Sequence, residues 1–361
     1  MHSDSDRYAP PTTLPGLLQR GRGQGVLLAA EDRTSVAGLV HGCIRWDWRW
    51  DSQVDDRHLY LARLIRDLEL PVGPVVEMAT AQDEDTRDRA TCVLELLVLA
   101  GSADARAALP DFVPDEDADE PPAHHPVHRP DPYPERDSAG LLALLRDPAA
   151  SESAKASALR ALSLRPPEPA LIPLVPGLGA ADGTRPLPYL ERAVDRLAGH
   201  AAPPAREWAA SPHEWLAWVG CTVLADHGDE SDIPTLVAAL EQAWVARSWC
   251  GPDTLARGLA RFGPKAADAV SLLRRFWLCT PHSYERPAYL EALAAIGAAG
   301  TAEAFVESLW DCEANARLLG IAHAPDRPHA LRRIADLRDD PMEDPEVREA
   351  AGVRLAGQAR R

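Results

Sequence analysis

A five-residue motif returns three times at a nearly constant interval: Leu224-Ala-Asp-His-Gly228, Leu259-Ala-Arg-Phe-Gly263 and Leu293-Ala-Ala-Ile-Gly297, spaced 35 and then 34 residues apart. That interval matches one helix hairpin, a unit too small to bury its own apolar face, so neighbouring copies must stack. The local chemistry agrees. In the first copy Gly228 is placed to end a helix in the left-handed conformation, Asp232 to cap the next helix, and Pro234 to occupy its first turn, where a missing N–H does no harm. Ile233, Leu236, Val237, Leu240 and Trp244 then fall on one helical stripe. Ala269, Leu272, Leu273, Phe276 and Trp277 repeat the stripe, as do Ala302, Phe305, Val306, Leu309 and Trp310. Abundant Ala and Leu with few Phe and Tyr favour helix over strand, so the chain reads as all-α.

The placement of Gly228-Asp229, Ile233-Pro234, Leu236 and Leu240 resembles that of HEAT-type (armadillo-type) repeats, particularly the short HEAT-like repeats of phycobilisome lyases. The likeness covers residues 211–323, is fainter over 138–210 and fainter again before 110. Pro264 and Ala298 depart from it, standing where the first copy has Asp229. The resemblance implies an α-solenoid of HEAT-like helix hairpins, about 6 to 8 pairs for a chain of this length. Thr86 to Leu109 reads as a related helix, a stop at Gly101 and the start of a second helix. Residues 330–356 read as two polar-faced helices, the second from Asp344-Pro345, capping the array. Asp111 to Arg136 holds seven prolines, eight acids and two arginines, too polar to bury. The expected organisation is an N-terminal helical region over 1–110, an acidic Pro-rich disordered insertion over 111–137, and the repeat array with its cap over 138–361.

Net charge limits the partners. With 38 basic and 55 acidic side chains the chain carries −17, a field that repels nucleic acid and anionic membranes. Six cysteines without a C-x-x-C pair fit neither a disulfide framework nor a zinc ribbon. The first residues lack the regions of a signal peptide and no apolar run reaches membrane-spanning length, so a cytoplasmic location is expected. No cofactor or metal site is expected: one His213-Glu214 pair falls short of the several ligands a di-iron centre needs. Gly21, Gly23 and Gly25 follow no strand, which leaves them as a loop opening the first helix.

Tryptophan supplies the candidate sites. Trp46, Trp48 and Trp50 alternate with Asp47, Arg49 and Asp51, an arrangement able to stack on a partner's side chain and offer it a carboxylate. The plainer reading puts Trp46 and Trp50 on one helix face in the core, with the acids in solvent or paired to Arg49 and Arg57. Trp244, Trp277 and Trp310 recur at an interval of 33 residues and could line one groove, or simply continue the packing stripe. The expected function is an interaction scaffold or adaptor that binds a basic or aromatic-rich protein. The expected binding residues are Trp46, Trp48, Trp50, Asp51, Trp244, Trp277 and Trp310. The alternative is an enzyme on the same scaffold, resembling in architecture alone the HEAT-like alkylpurine DNA glycosylases or a chromophore lyase.

Overall fold

The computed structural model describes residues 7–31, 33–112 and 130–359. Their regular structure is all helical, with one isolated bridge between Gly179 and Pro186 and no strand among the described residues. No helix is long and apolar enough to cross a membrane. The chain forms two compact units, one of Met1–Pro121 with Leu273–Arg361 and one of Pro122–Leu272. This differs from the division expected from composition, because N-terminal helices share a core with C-terminal ones. Residues 113–129 of the expected insertion lie outside the described residues. Its end is held by Arg165, which donates to Asp131 Oδ2 at 2.7 Å and to the carbonyls of Tyr133 and Arg136.

In the unit of residues 122–272 the helices pair as their local signals direct. Asp137 caps Ser138–Arg146 through the Gly140 N–H, and Ser151 caps Glu152–Ser163 through that of Ala154. Glu214–His227 packs on Ala202–Ala209, on Ile233–Ala246 and on Pro252–Ala260. Their contact faces are built from residues such as Leu224, Leu236, Leu240, Leu255 and Leu259, all fully buried. Each such side chain contributes roughly 1.5–3 kcal/mol. One turn differs from expectation. Gly228 is extended (φ −70°, ψ 176°), not left-handed, and Asp232 closes a capping box with Asp229. Glycine is needed there for room, since a Cβ would meet Asp232 Oδ2 at 2.7 Å. The left-handed conformation does occur at Gly263 and Gly297, where the motif recurs.

In the other unit, Arg286–Ile296 and Thr301–Ser308 form the last of the predicted hairpins, followed by Ala314–His323, Pro328–Asp339 and Pro345–Ala359. The N-terminal helices His58–Asp67 and Glu84–Leu99 pack together over Leu64, Ile65, Val93, Leu94 and Leu97. Charged side chains then tie the two ends of the sequence. Arg63 donates to Asp340 and Glu343, both at 2.8 Å, and Glu343 also binds Arg317 at 2.7 Å. Arg22 reaches Glu307 Oε1 at 2.8 Å through Nε. The connection between the two last helices, which were expected to cap the array, is thus fastened to an N-terminal helix. Nearest-neighbour stacking alone does not describe this unit. Gly21 to Gly25 do not open the first helix either. Gly21 (φ +64°) joins Leu14–Gln19 to Gly23–Glu31, and a Cβ on it would lie 2.5 Å from Cys312 Sγ.

Candidate functional site

The Arg33–Arg45 helix stops immediately before the tryptophan cluster, so residues 46–57 are an irregular loop and not the helix face that spacing suggested. The stop is built from the neighbouring helix. Arg89 donates to the carbonyls of Ile44 at 2.9 Å and Arg45 at 2.8 Å, and Thr86 Oγ1 donates to that of Arg45. These carbonyls would otherwise lack a partner at the helix end.

Beyond the helix almost every turn of the loop is pinned. Arg49 forks onto Asp47 through Nε at 2.9 Å and Nη2 at 2.8 Å. The Tyr8 hydroxyl donates to the Trp48 carbonyl, its ring lies 5.6 Å from the Trp48 indole, and Arg7 binds the Asp47 carbonyl. Asp55 Oδ2 accepts the N–H groups of Trp50 at 2.9 Å and Asp51 at 3.1 Å. Asp51 in turn accepts the Gln53 N–H.

Asp55 joins the loop to a buried polar cluster. Its Oδ1 accepts from His282 Nδ1 at 2.8 Å, Ser283 Oγ at 3.0 Å and the Tyr284 N–H at 3.0 Å. Burial raises the affinity of this carboxyl group for a proton, but the His282 bond, the Arg57 charge and the backbone donors outweigh it and hold the group well below the usual carboxylate range. His282 is displaced upward: burial opposes its charged form, and the bond to Asp55 more than offsets that. Arg57 donates to Ser283 Oγ at 2.6 Å and to Cys312 Sγ at 2.9 Å. A hydrolase-like use of Asp55, His282 and Ser283 does not fit this geometry. The serine hydroxyl faces Asp55, Glu313 and Arg57, and it is completely buried.

Of the tryptophans singled out by sequence, Trp46 alone is largely exposed, at 64%. Trp48 and Trp50 are half-buried. The recurring set does not form one row of exposed anchors. Trp277 is buried with the Arg22 guanidinium 4.3 Å above its ring, and the half-buried Trp310 lies under Arg333 at 5.4 Å. Trp244 belongs to the other unit, where Arg247 covers it at 4.8 Å and Trp249 meets it edge-on. In each case an arginine stacks on the indole, which is packing reinforced by a cation–π contact.

Sequence reasoning missed Asp55, His282, Ser283 and Glu313 as one cluster, because no spacing rule links positions this far apart. It also missed a groove in the 122–272 unit, of about 710 Å³, between Ala202–Ala209, Glu214–His227 and Ile233–Ala246. Trp218, Cys221 and alanines line that groove, with Glu214 and Gln242 among its polar residues.

The residues next to Trp46 in the chain and on the contacting helix carry both charges, with acids in excess: Arg45 is exposed, and Arg87 lies 3.8 Å from Glu84 and 4.0 Å from Asp88. Asp56 is exposed, and so are Asp83, Glu84, Asp85 and Asp88 at the start of Glu84–Leu99, the helix whose Thr86 and Arg89 contact Arg45. An exposed indole beside several carboxylates can hold an alkylammonium or guanidinium group by stacking and charge together. Comparison with protein-family models and with curated proteins finds no match for this chain.

Proposed function

We propose that this protein is an interaction scaffold of HEAT-like helix hairpins, and that it binds a lysine- or arginine-rich segment of a partner protein at the Trp46–Asp51 loop. The exposure of Trp46 on a loop held in place from behind carries this reading. A loop whose backbone is already held loses less entropy on association than a free one, and tryptophan is enriched among the residues that dominate interface energies. Carboxylates select a basic partner and speed its approach, since the chain's net charge of −17 attracts cations over a long range. The 34- and 35-residue recurrence and the successive packing of the helices over residues 202–260 support HEAT-like stacking in that part of the chain. The groove beside Trp218, lined largely by alanines with one acid, Glu214, and one arginine, Arg206, offers a second, less charged surface.

The glycosylase alternative gains nothing from the loop. Between residues 46 and 57, Asp47, Asp51, Asp55 and Asp56 outnumber Arg49 and Arg57, whereas phosphate neutralisation demands the reverse. The test is binding of the full-length chain and its Trp46→Ala variant to an array of lysine- and arginine-rich peptides at low and moderate salt. The wild type should retain a subset of peptides with salt-sensitive affinity, and the variant should bind them at least about tenfold more weakly. Equal binding by the two proteins, or retention of no basic peptide by the wild type, would sink the reading.

A further inference from the structure

Asp55 and Glu313 approach each other across a single hydroxyl group. Ser283 Oγ lies 3.0 Å from Asp55 Oδ1, is in hydrogen-bond contact with Glu313 Oε1, and accepts from Arg57 Nη1 at 2.6 Å. A serine hydroxyl has one hydrogen to give, while an ionised carboxylate only accepts. With both acids ionised, one of the two contacts would set lone pair against lone pair in a buried site. A proton on one carboxyl group removes the conflict.

Asp55 is not its place, because five donors converge on its oxygens: Trp50 N–H, Asp51 N–H, Tyr284 N–H, His282 Nδ1 and Ser283 Oγ. Glu313 has far less to stabilise its charge. The Asp56 N–H reaches it at 3.3 Å, the Cys312 thiol at 3.7 Å, and Arg57 stands 3.8 Å away while bonded to the serine and to other acceptors. The consistent chain runs from a Glu313 O–H to Ser283 Oγ, and from the Ser283 O–H to Asp55.

We infer that Glu313 holds a proton in the folded protein below neutral pH, and that its ionisation as pH rises loosens the support beneath the Trp46–Asp51 loop and makes the proposed binding surface pH-dependent. The protonation and the loosening stand on the geometry; only the last clause rests on the loop being a binding surface.

The groups around Glu313 give the direction. Burial is the largest influence and pushes its carboxyl group up to about 7; Asp311 and Asp56 add to this, and Arg57 and the Ser283 hydroxyl oppose it. Next to these lie His282, Glu285 and Arg286 from the following segment, with Arg286 held by Asp311 at 2.7 Å, and Tyr60 and Arg317 beside Cys312. Glu313 binds its proton more tightly folded than unfolded. Its contribution to stability is therefore complete below its ordinary value of 4.5 and lost as pH rises through about 7. His282, also raised, acts with the same sign above 6.5. His41 and His58, lowered by burial, act with the opposite sign below 6.5.

Glu313→Gln keeps the shape and the donor of the protonated acid at every pH, and leaves the three histidines in place. Thermal unfolding midpoints of the full-length wild type and E313Q should diverge in favour of the variant by several degrees between about pH 5 and about pH 8. Over the same range, hydrogen exchange at the Trp50 and Asp51 amides, corrected for its intrinsic pH dependence, should rise in the wild type only. A difference between the two proteins that does not change with pH overturns the inference. Should E313Q fail to fold, the wild type alone decides it: infrared spectra must show a protonated-carboxyl band near neutral pH that vanishes at alkaline pH, and its absence refutes the proposal. Trp46→Ala retains Glu313 and should keep the wild-type pH dependence of stability, so failure of the binding reading and failure of the proton site are separable.

Discussion

In the unit formed by residues 1–121 and 273–361, arginines reach far along the sequence for their partners, as Arg63 does for Asp340 and Glu343, 277 and 280 positions away. The unit of residues 122–272 closes over Leu224, Leu236, Leu240, Trp208 and Trp215. Among the described residues, all the buried polar and charged side chains except Asp232 and Asp253 lie in the first unit. The difference concerns specificity more than strength. Burying an ion pair removes hydration that the attraction only just restores, so these pairs need not make the first unit more stable than an apolar core would. They do penalise every alternative pairing, because a misplaced helix would leave a charge buried alone. A core of alanine and leucine has no such penalty and relies on local hairpins and close fit.

Breaking one long-range pair gives the most severe test of that contrast. Arg286→Ala leaves Asp311 buried without its partner and should destabilise the first unit by about 3–5 kcal/mol, read from urea unfolding with hydrogen exchange assigned to each unit. Joint replacement of Arg286 and Asp311 by Met and Leu should recover most of this loss. If the single change costs no more than a surface pair, the contrast between the units fails.

In the second unit the corresponding weak point is contact distance. Gly258 sits so close to the neighbouring helix that a Cβ would meet Ala225 Cβ at 2.5 Å and its carbonyl oxygen at 2.8 Å. Gly258→Ala should therefore cost about 1–3 kcal/mol, without altering exchange in the first unit. The smallest effect belongs to the site itself. Trp46→Ala should change the unfolding free energy by no more than about 0.5 kcal/mol, since most of the indole is already in water. A loss as large as that of Arg286→Ala would show that Trp46 belongs to the core.

The hairpins over residues 214–308 were legible because their signals are local. Pro234 stands in the first turn of its helix, and the predicted apolar residues Leu236, Leu240, Leu272, Leu273 and Phe276 are all buried. The tryptophan cluster was legible as a candidate, but its conformation was not. Trp46 and Trp50 have helical spacing, yet Arg89 and Thr86 claim the carbonyls at which the helix ends, and nothing near residue 46 in the sequence announces a side chain from residue 89. The 33-residue recurrence of Trp244, Trp277 and Trp310 likewise gave no sign that an arginine covers each ring.

Sequence by itself determined that the chain is helical, where the recurring helix pairs begin and turn, and that its net charge is −17, because propensity, capping, periodicity and net charge all act over a few residues or are simple sums. Only the tertiary structure decided which charges are buried together, that Trp46 stands exposed while Trp277 does not, and that one serine hydroxyl lies between Asp55 and Glu313. Those facts depend on segments more than 200 positions apart, and the free energy of a charge or an indole is set by its neighbours and its access to water.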